Sequence, residues 1–134
     1  MGKITLCSSA MFFDKLKDIG LDLKKEGFDI LLPSLRDFGA ENGNAKIKLD
    51  LVKEHFRKID KSDAILIVNF EKKGIKGYIG GNTFLEMGKA FDKGIPIFLL
   101  NELPAESPYL DELIAMQPIV INNDLNVIKR MLNE

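Results

Sequence analysis

The chain has 134 residues, 46% of them apolar and 29% charged, and a formal net charge of −1 at pH 7. That length suits one domain with a real core, the composition excludes wholesale disorder, and near-neutrality argues against an electrostatic grip on nucleic acid polymers or an anionic membrane. Cys7 is the only cysteine and His55 the only histidine, which excludes an intrachain disulfide and the usual zinc sites assembled from several such residues, so neither a metal nor a cofactor is expected.

Residues 4–7 form a short apolar, β-prone run that Ser8-Ser9-Ala10 breaks, as a strand-to-helix turn would. The N-terminus passes from Met1-Gly2-Lys3 straight into this run, with no apolar leader and no membrane-length segment elsewhere, which predicts a cytoplasmic protein. Over 11–26, Phe12, Leu16, Ile19 and Leu23 recur at helical spacing, and Gly27 closes the helix. Residues 28–32 read as a second strand ended by Pro33, and 33–45, with two glycines and two asparagines, as a long loop. Ile47, Leu51, His55, Phe56 and Ile59 then step along one helical face, which puts His55 on or beside a buried side.

The run Ala-Ile-Leu-Ile-Val over 64–68 is continuously apolar, the pattern of a central parallel strand covered on both faces. A polar, Gly-rich loop containing Asn69 and Tyr78 follows, then a helix over 83–93 that stops at Gly94, and another buried strand over 96–100. A loop over 101–108, a short helix over 109–116, a strand over 119–121 and a helix over 124–132 complete the chain. Strands alternating with helices predict a single α/β domain spanning 1–134: a doubly wound, five-stranded parallel sheet of flavodoxin-like order 2-1-3-4-5, with helices on both faces. Ligands of such sheets sit beyond the carboxyl ends of the strands at the switch in strand order. That gathers the loops after the first, third and fourth strands around Gly80-Gly81-Asn82-Thr83-x-x-Glu86.

Two readings of Glu86 stand side by side. Thr83-x-x-Glu86 has capping-box spacing, which would make Glu86 a structural carboxylate in the first turn of its helix. Against a purely structural role, Gly80 and Gly81 allow close approach of backbone to a ligand, and Asn82 offers both a donor and an acceptor. Ser8 and Ser9 likewise suit either an anion at a helix start or the cap of that helix.

The stretches Asp63-Ala-Ile-Leu-Ile-Val-Asn69, Gly81-Asn82-Thr83-x-x-Glu86-x-Gly88-x-Ala90 and Gly94-x-Pro96-Ile97 together resemble the nucleoside 2-deoxyribosyltransferase-like superfamily, which includes the 2′-deoxynucleoside 5′-monophosphate N-hydrolases. The likeness covers the first strand to about the fourth, and its specific part is the Thr-x-x-Glu-x-Gly helix start. It implies an enzyme that cleaves or transfers the N-glycosidic bond of a nucleoside or nucleotide, with Glu86 as the nucleophile that forms a glycosyl-enzyme ester. His55, through the spacing His55-x-x-x-Ile59-x-x-Ser62-Asp63, matches a position where relatives carry a catalytic aspartate, which implies an imidazole that protonates the leaving base near neutral pH. Cys7-Ser8-Ser9 resembles the Cys-Gly-Ser of the hydrolases' phosphate-holding first loop.

With Asn69, Tyr78, Gly80, Gly81, Asn82 and Thr83, those three residues make up the expected substrate-binding set. The sequence departs from the pattern where Gly80 replaces an acidic residue, where Thr5 and Leu6 stand in place of a tyrosine, and where the hydrolases' first-loop arginine is missing. The resemblance further implies a homodimer or higher oligomer; the segment 109–118, with Tyr109, Leu110, Leu113 and Met116, suits either that contact or ordinary core packing. Two alternatives use the same stretch: a phosphoribohydrolase, whose Pro-Gly-Gly-x-Gly-Thr-x-x-Glu motif is only partly matched, and a non-catalytic nucleotide sensor in which Glu86 is a cap.

Overall fold

Apolar strands with no polar face must be covered on both sides, and this requirement sets the architecture. The structure, a computed structural model, describes residues 2–34 and 45–133, the side chains of 45–49 excepted. β1 (Lys3–Cys7) and β3 (Ala64–Ile67) lie at the centre of one sheet, and all four residues of β3 are buried. β2 (Asp29–Leu31) pairs with β1, β4 (Ile97–Leu99) with β3 and β5 (Ile119–Val120) with β4, every pair parallel, in the order β2-β1-β3-β4-β5. This is the order expected from the sequence. Apolar periodicity marks longer strands than the ladder does, because Val68, Leu100 and Ile121 still donate to Cys7, Ile67 and Leu99 just past the paired residues.

The chain enters α1 (Phe13–Lys25) through a 3-10 turn at Ala10–Phe12. α2 (Ala45–Asp60), α3 (Gly81–Asp92), α4 (Leu110–Ala115) and α5 (Asn126–Leu132) follow. The loop expected over 33–45 falls mostly outside the described residues. Two helix ends are as predicted. Gly27 (φ 98°) and Gly94 (φ 72°) hold left-handed backbone, and Phe28 and Ile95 donate back to Leu23 and Ala90 in Schellman geometry.

Alternation along each strand divides the core. Ile4, Leu6, Leu66, Val68 and Phe98 meet Leu16 and Leu23 of α1 and Ile128 of α5. Cys7, Ile65, Ile67 and Leu99 meet Ile59 of α2, Met87 and Ala90 of α3 and Leu113 of α4. The odd-numbered side chains of β1 therefore face α2 and α3. Among the described residues, no helix is long and apolar enough to cross a membrane.

Candidate active site

β1 ends at Cys7, whose side chain points to the α2 and α3 side, at the switch where neighbouring β1 and β3 send their chains to opposite faces of the sheet. Two polar ties fix the helices there. Thr5 Oγ1 lies 2.6 Å from Ser62 Oγ, which donates to the Lys58 carbonyl and so anchors the end of α2 to β1. Asp60 pairs with Lys89 at 3.2 Å and Lys93 at 3.6 Å, tying α2 to α3, and the Lys89 hydrogen bond holds its carboxyl below the usual range.

The Leu51–His55–Ile59 stripe, one residue per turn, then points His55 inward, while Glu86 borders the buried Thr83, Met87 and Ala90 stripe of α3. His55 Nε2 reaches Glu86 Oε2 at 3.2 Å and Cys7 Sγ at 3.4 Å. Residues 48 and 31 positions from the histidine in sequence thus share one ring nitrogen.

Burial decides the charge states. His55 is 2% exposed, and this burial, assisted by nearby Lys58, lowers its pKa from 6.5 to about 4. The imidazole is therefore neutral at pH 7, and its contact with Glu86 is a hydrogen bond rather than an ion pair. Nδ1 is buried without a hydrogen-bond partner among the described residues. A neutral ring with its proton on Nε2 leaves only a lone pair orphaned there, whereas an imidazolium would orphan an N–H. Burial and the neighbouring charge of Glu86 push the Cys7 thiol well up, so Cys7 stays protonated. Glu86 is the member that opens outward, its side chain 14% exposed.

These observations bear on two expectations. The first is the capping box. Gly80, in extended backbone (φ −84°, ψ 177°), is the N-cap; its carbonyl accepts from Phe84, and no side chain caps α3. Gly81, Asn82 and Thr83 form the first turn and Glu86 lies in the second, beyond capping reach, because two glycines let the helix start earlier than Thr83. The second is the proton donor: with its pKa lowered to about 4, His55 is neutral at pH 7 and turned toward a carboxyl group, which argues against its protonating a departing base.

The remaining predicted residues fall into two groups. Ser9 is the N-cap of the 3-10 turn, but its hydroxyl does not cap; it accepts from Lys72 Nζ at 2.8 Å, and Ser8 Oγ donates to the Ser9 carbonyl. Lys72 Nζ also sits 5.0 Å from the centre of the Tyr78 ring. A Cβ on Gly80 would come within 3.2 Å of that ring, while one on Gly81 would meet nothing. Ser8, Ser9, Tyr78 and Gly80 are thus brought together around a lysine absent from the expected set, while Cys7 lies with His55 and Glu86. The signal for it was Lys73-Gly74, a two-residue hairpin turn with φ 52° and 78°, which pairs Lys72 with Ile75. Asn82 is exposed and Thr83 buried on α3.

Asn69 belongs to a different assembly, where it acts as a strut. Its side chain accepts from the Asn101 amide at 2.9 Å and donates to the Asn101 and Glu102 carbonyls at 3.1 Å, locking the loop after β3 to the loop after β4. Gly77 passes through that lock with φ 69°, where a Cβ would lie 2.2 Å from the Glu102 carbonyl oxygen. Gly77→Ala is expected to lower stability by roughly 2–4 kcal/mol through left-handed strain and overpacking, measured by urea unfolding.

A cleft of about 360 Å³ opens beside this lock, lined by Glu71, Lys76, Glu102, Leu103, Asn122 and Asn123 among others. Cys7, His55 and Glu86 do not line it. Of the two readings of the segment 109–118, core packing is the one seen for Tyr109, Leu113 and Met116. Tyr109 stacks on Phe84 at 4.4 Å and donates to the Ile79 carbonyl, and with Leu113 and Met116 it packs into the protein's own core.

No family model matches the sequence, and no curated protein matches it. Solved structures do. A 2-deoxyribosyltransferase from the psychrotolerant bacterium Bacillus psychrosaccharolyticus superposes with a TM-score of 0.62 at 20% identity, covering 94% of this chain and 89% of its own. The CMP N-glycosidase BcmB of Clostridium botulinum superposes with a TM-score of 0.53 at 17% identity, covering 98% and 97%. Taken with the strand order β2-β1-β3-β4-β5, the likeness shows that this chain shares the α/β fold of these two enzymes.

Proposed function

We propose that the protein cleaves or transfers the N-glycosidic bond of a nucleoside or nucleotide, with Glu86 as the nucleophile. One observation carries this reading: a carboxyl group held from behind by a buried, neutral imidazole at 3.2 Å, at the β1/β3 switch of a fold shared with a deoxyribosyltransferase and an N-glycosidase. The hydrogen bond from Nε2 fixes the orientation of one oxygen without neutralising the charge, as a nucleophile requires.

In the first step a Glu86 oxygen bonds to the anomeric carbon as the bond to the base nitrogen breaks. The base leaves with the bonding pair and takes a proton from solvent, through an oxocarbenium-like transition state. In the second step water, or another base, attacks the same carbon, breaks the ester bond to free the carboxylate, and gives up its proton to solvent. His55 is a positioning residue in this scheme, since it touches the nucleophile and not the sugar.

Lys72 beside Ser9 favours a phosphorylated substrate. The amino group stands where the first loop meets the hairpin after β3, 2.8 Å from the Ser9 hydroxyl, and supplies a cation that the first loop lacks. Incubation with a panel of ribo- and deoxyribonucleosides and their 5′-monophosphates, with and without a free acceptor base, tests the reading. Base release or exchange is expected, and faster with monophosphates. Lys72→Ala is expected to raise KM for a monophosphate about tenfold, from the loss of one charge-assisted contact, and to leave the KM for the matching nucleoside nearly unchanged. Equal effects on both would remove the phosphate role.

A further inference from the structure

The Cys7, His55 and Glu86 cluster has a second chemistry. Their ligating atoms, one thiol sulfur, one imidazole nitrogen and one carboxylate oxygen, all lie within 4.8 Å of one another. In a tetrahedral zinc site with Zn–N of about 2.0–2.1 Å and Zn–S of about 2.3 Å, neighbouring ligand atoms are about 3.3–3.6 Å apart. Here Nε2 stands 3.4 Å from Sγ and 3.2 Å from Oε2. The single cysteine and single histidine of the chain, which by count excluded a zinc site, converge with a carboxylate into a three-ligand set.

We propose that Cys7, His55 and Glu86 bind one thiophilic divalent cation, zinc in the first instance, and that the bound ion switches the enzyme off by occupying the Glu86 carboxylate. Entry is from the Glu86 side, because Cys7 and His55 are sealed against the sheet while Glu86 is partly exposed. That side also supplies the open fourth position, for water.

The binding is exchangeable rather than permanent. Binding releases the Cys7 proton to solvent and moves the ring proton from Nε2 to Nδ1; histidines that hold resident zinc have that other nitrogen fixed by a carboxylate, carbonyl or water, whereas His55 Nδ1 has no partner among the described residues. The ion and the sugar compete for the same oxygen. The inhibitory half of the proposal rests on the reading of Glu86 as nucleophile; the binding half does not.

Cobalt(II) added to the chelator-treated protein tests the binding half. One equivalent is expected to produce a thiolate-to-cobalt charge-transfer band in the near ultraviolet together with tetrahedral visible bands, both erased by one equivalent of zinc and absent in Cys7→Ser. X-ray absorption at the zinc edge of the wild-type protein, which needs no variant, is expected to show one sulfur at about 2.3 Å beside nitrogen and oxygen ligands. A shell of nitrogen and oxygen alone, or a cobalt spectrum unchanged in Cys7→Ser, overturns the site.

For the inhibitory half, base release is expected to be lost at one equivalent of zinc and restored by chelator. Turnover unaffected at zinc saturation of the sulfur-containing site overturns it. A protein that gives the cobalt band but shows no turnover with any substrate contradicts the glycosidase reading and leaves the binding site standing.

Discussion

Glu86→Gln is expected to lower kcat for base release by about 10⁴-fold or more while the protein remains folded, since removing the nucleophile removes the covalent route. Glutamine is the better probe because its amide oxygen still accepts from His55 Nε2, 3.2 Å from the native carboxylate. Glu86→Ala is expected to lose turnover equally, but also about 1–3 kcal/mol of stability, because the buried Nε2–H is then left without its acceptor. Unfolding curves separate the two effects. Equal stability of the glutamine variant and wild type, with turnover gone, assigns the loss to chemistry. A glutamine variant that turns over at the wild-type rate removes Glu86 from the mechanism.

The second large effect is acid lability traced to one side chain. His55 has a pKa of about 4 in the folded protein against 6.5 as its ordinary value, with burial the main cause. Above pH 6.5 the ring is neutral in both states and contributes no pH dependence. Between 6.5 and 4 the unfolded chain takes up a proton that the folded chain refuses, so stability falls as pH falls. The full window corresponds to about 3 kcal/mol.

Urea unfolding of the metal-free protein from pH 7.5 to pH 4 is expected to show this decline, and His55→Asn is expected to flatten it by most of that amount. A variant with the wild-type slope would contradict the buried neutral imidazole. The same assignment predicts no inflection from His55 in the pH–rate profile near neutrality. An inflection there that vanishes in His55→Asn would instead restore the histidine as the acid that protonates the base.

The fold was largely legible, and for identifiable reasons. Residues 64–68 lack any polar alternation, which leaves a doubly covered parallel strand as the natural solution, and Gly27 and Gly94 sit where left-handed helix ends require them. Helix periodicity also placed His55 on a buried face. Other features were not legible. The Thr83-x-x-Glu86 spacing resembles a cap because an i, i+3 pair is the same at the start of a helix and inside one; only the extended backbone of Gly80 tells them apart.

Lys72 reaches Ser9 because a hairpin turns the chain back, and no periodicity encodes that contact across 63 positions. The protonation state of His55 depends on how completely α2 and α3 cover it, a property of packing and not of spacing. Asn69 shows the same limit. Its chemistry fits a ligand contact, yet two neighbouring loops consume its hydrogen bonds.

Trapping the glycosyl-enzyme tests the central claim most directly. Wild-type protein incubated with a 2′-fluoro nucleotide, whose fluorine slows release of the sugar from the enzyme, should gain the mass of one sugar phosphate. Peptide mapping should place that mass on Glu86. A protein that releases base with no covalent adduct at any stage, and does so undiminished in Glu86→Ala, would contradict the account.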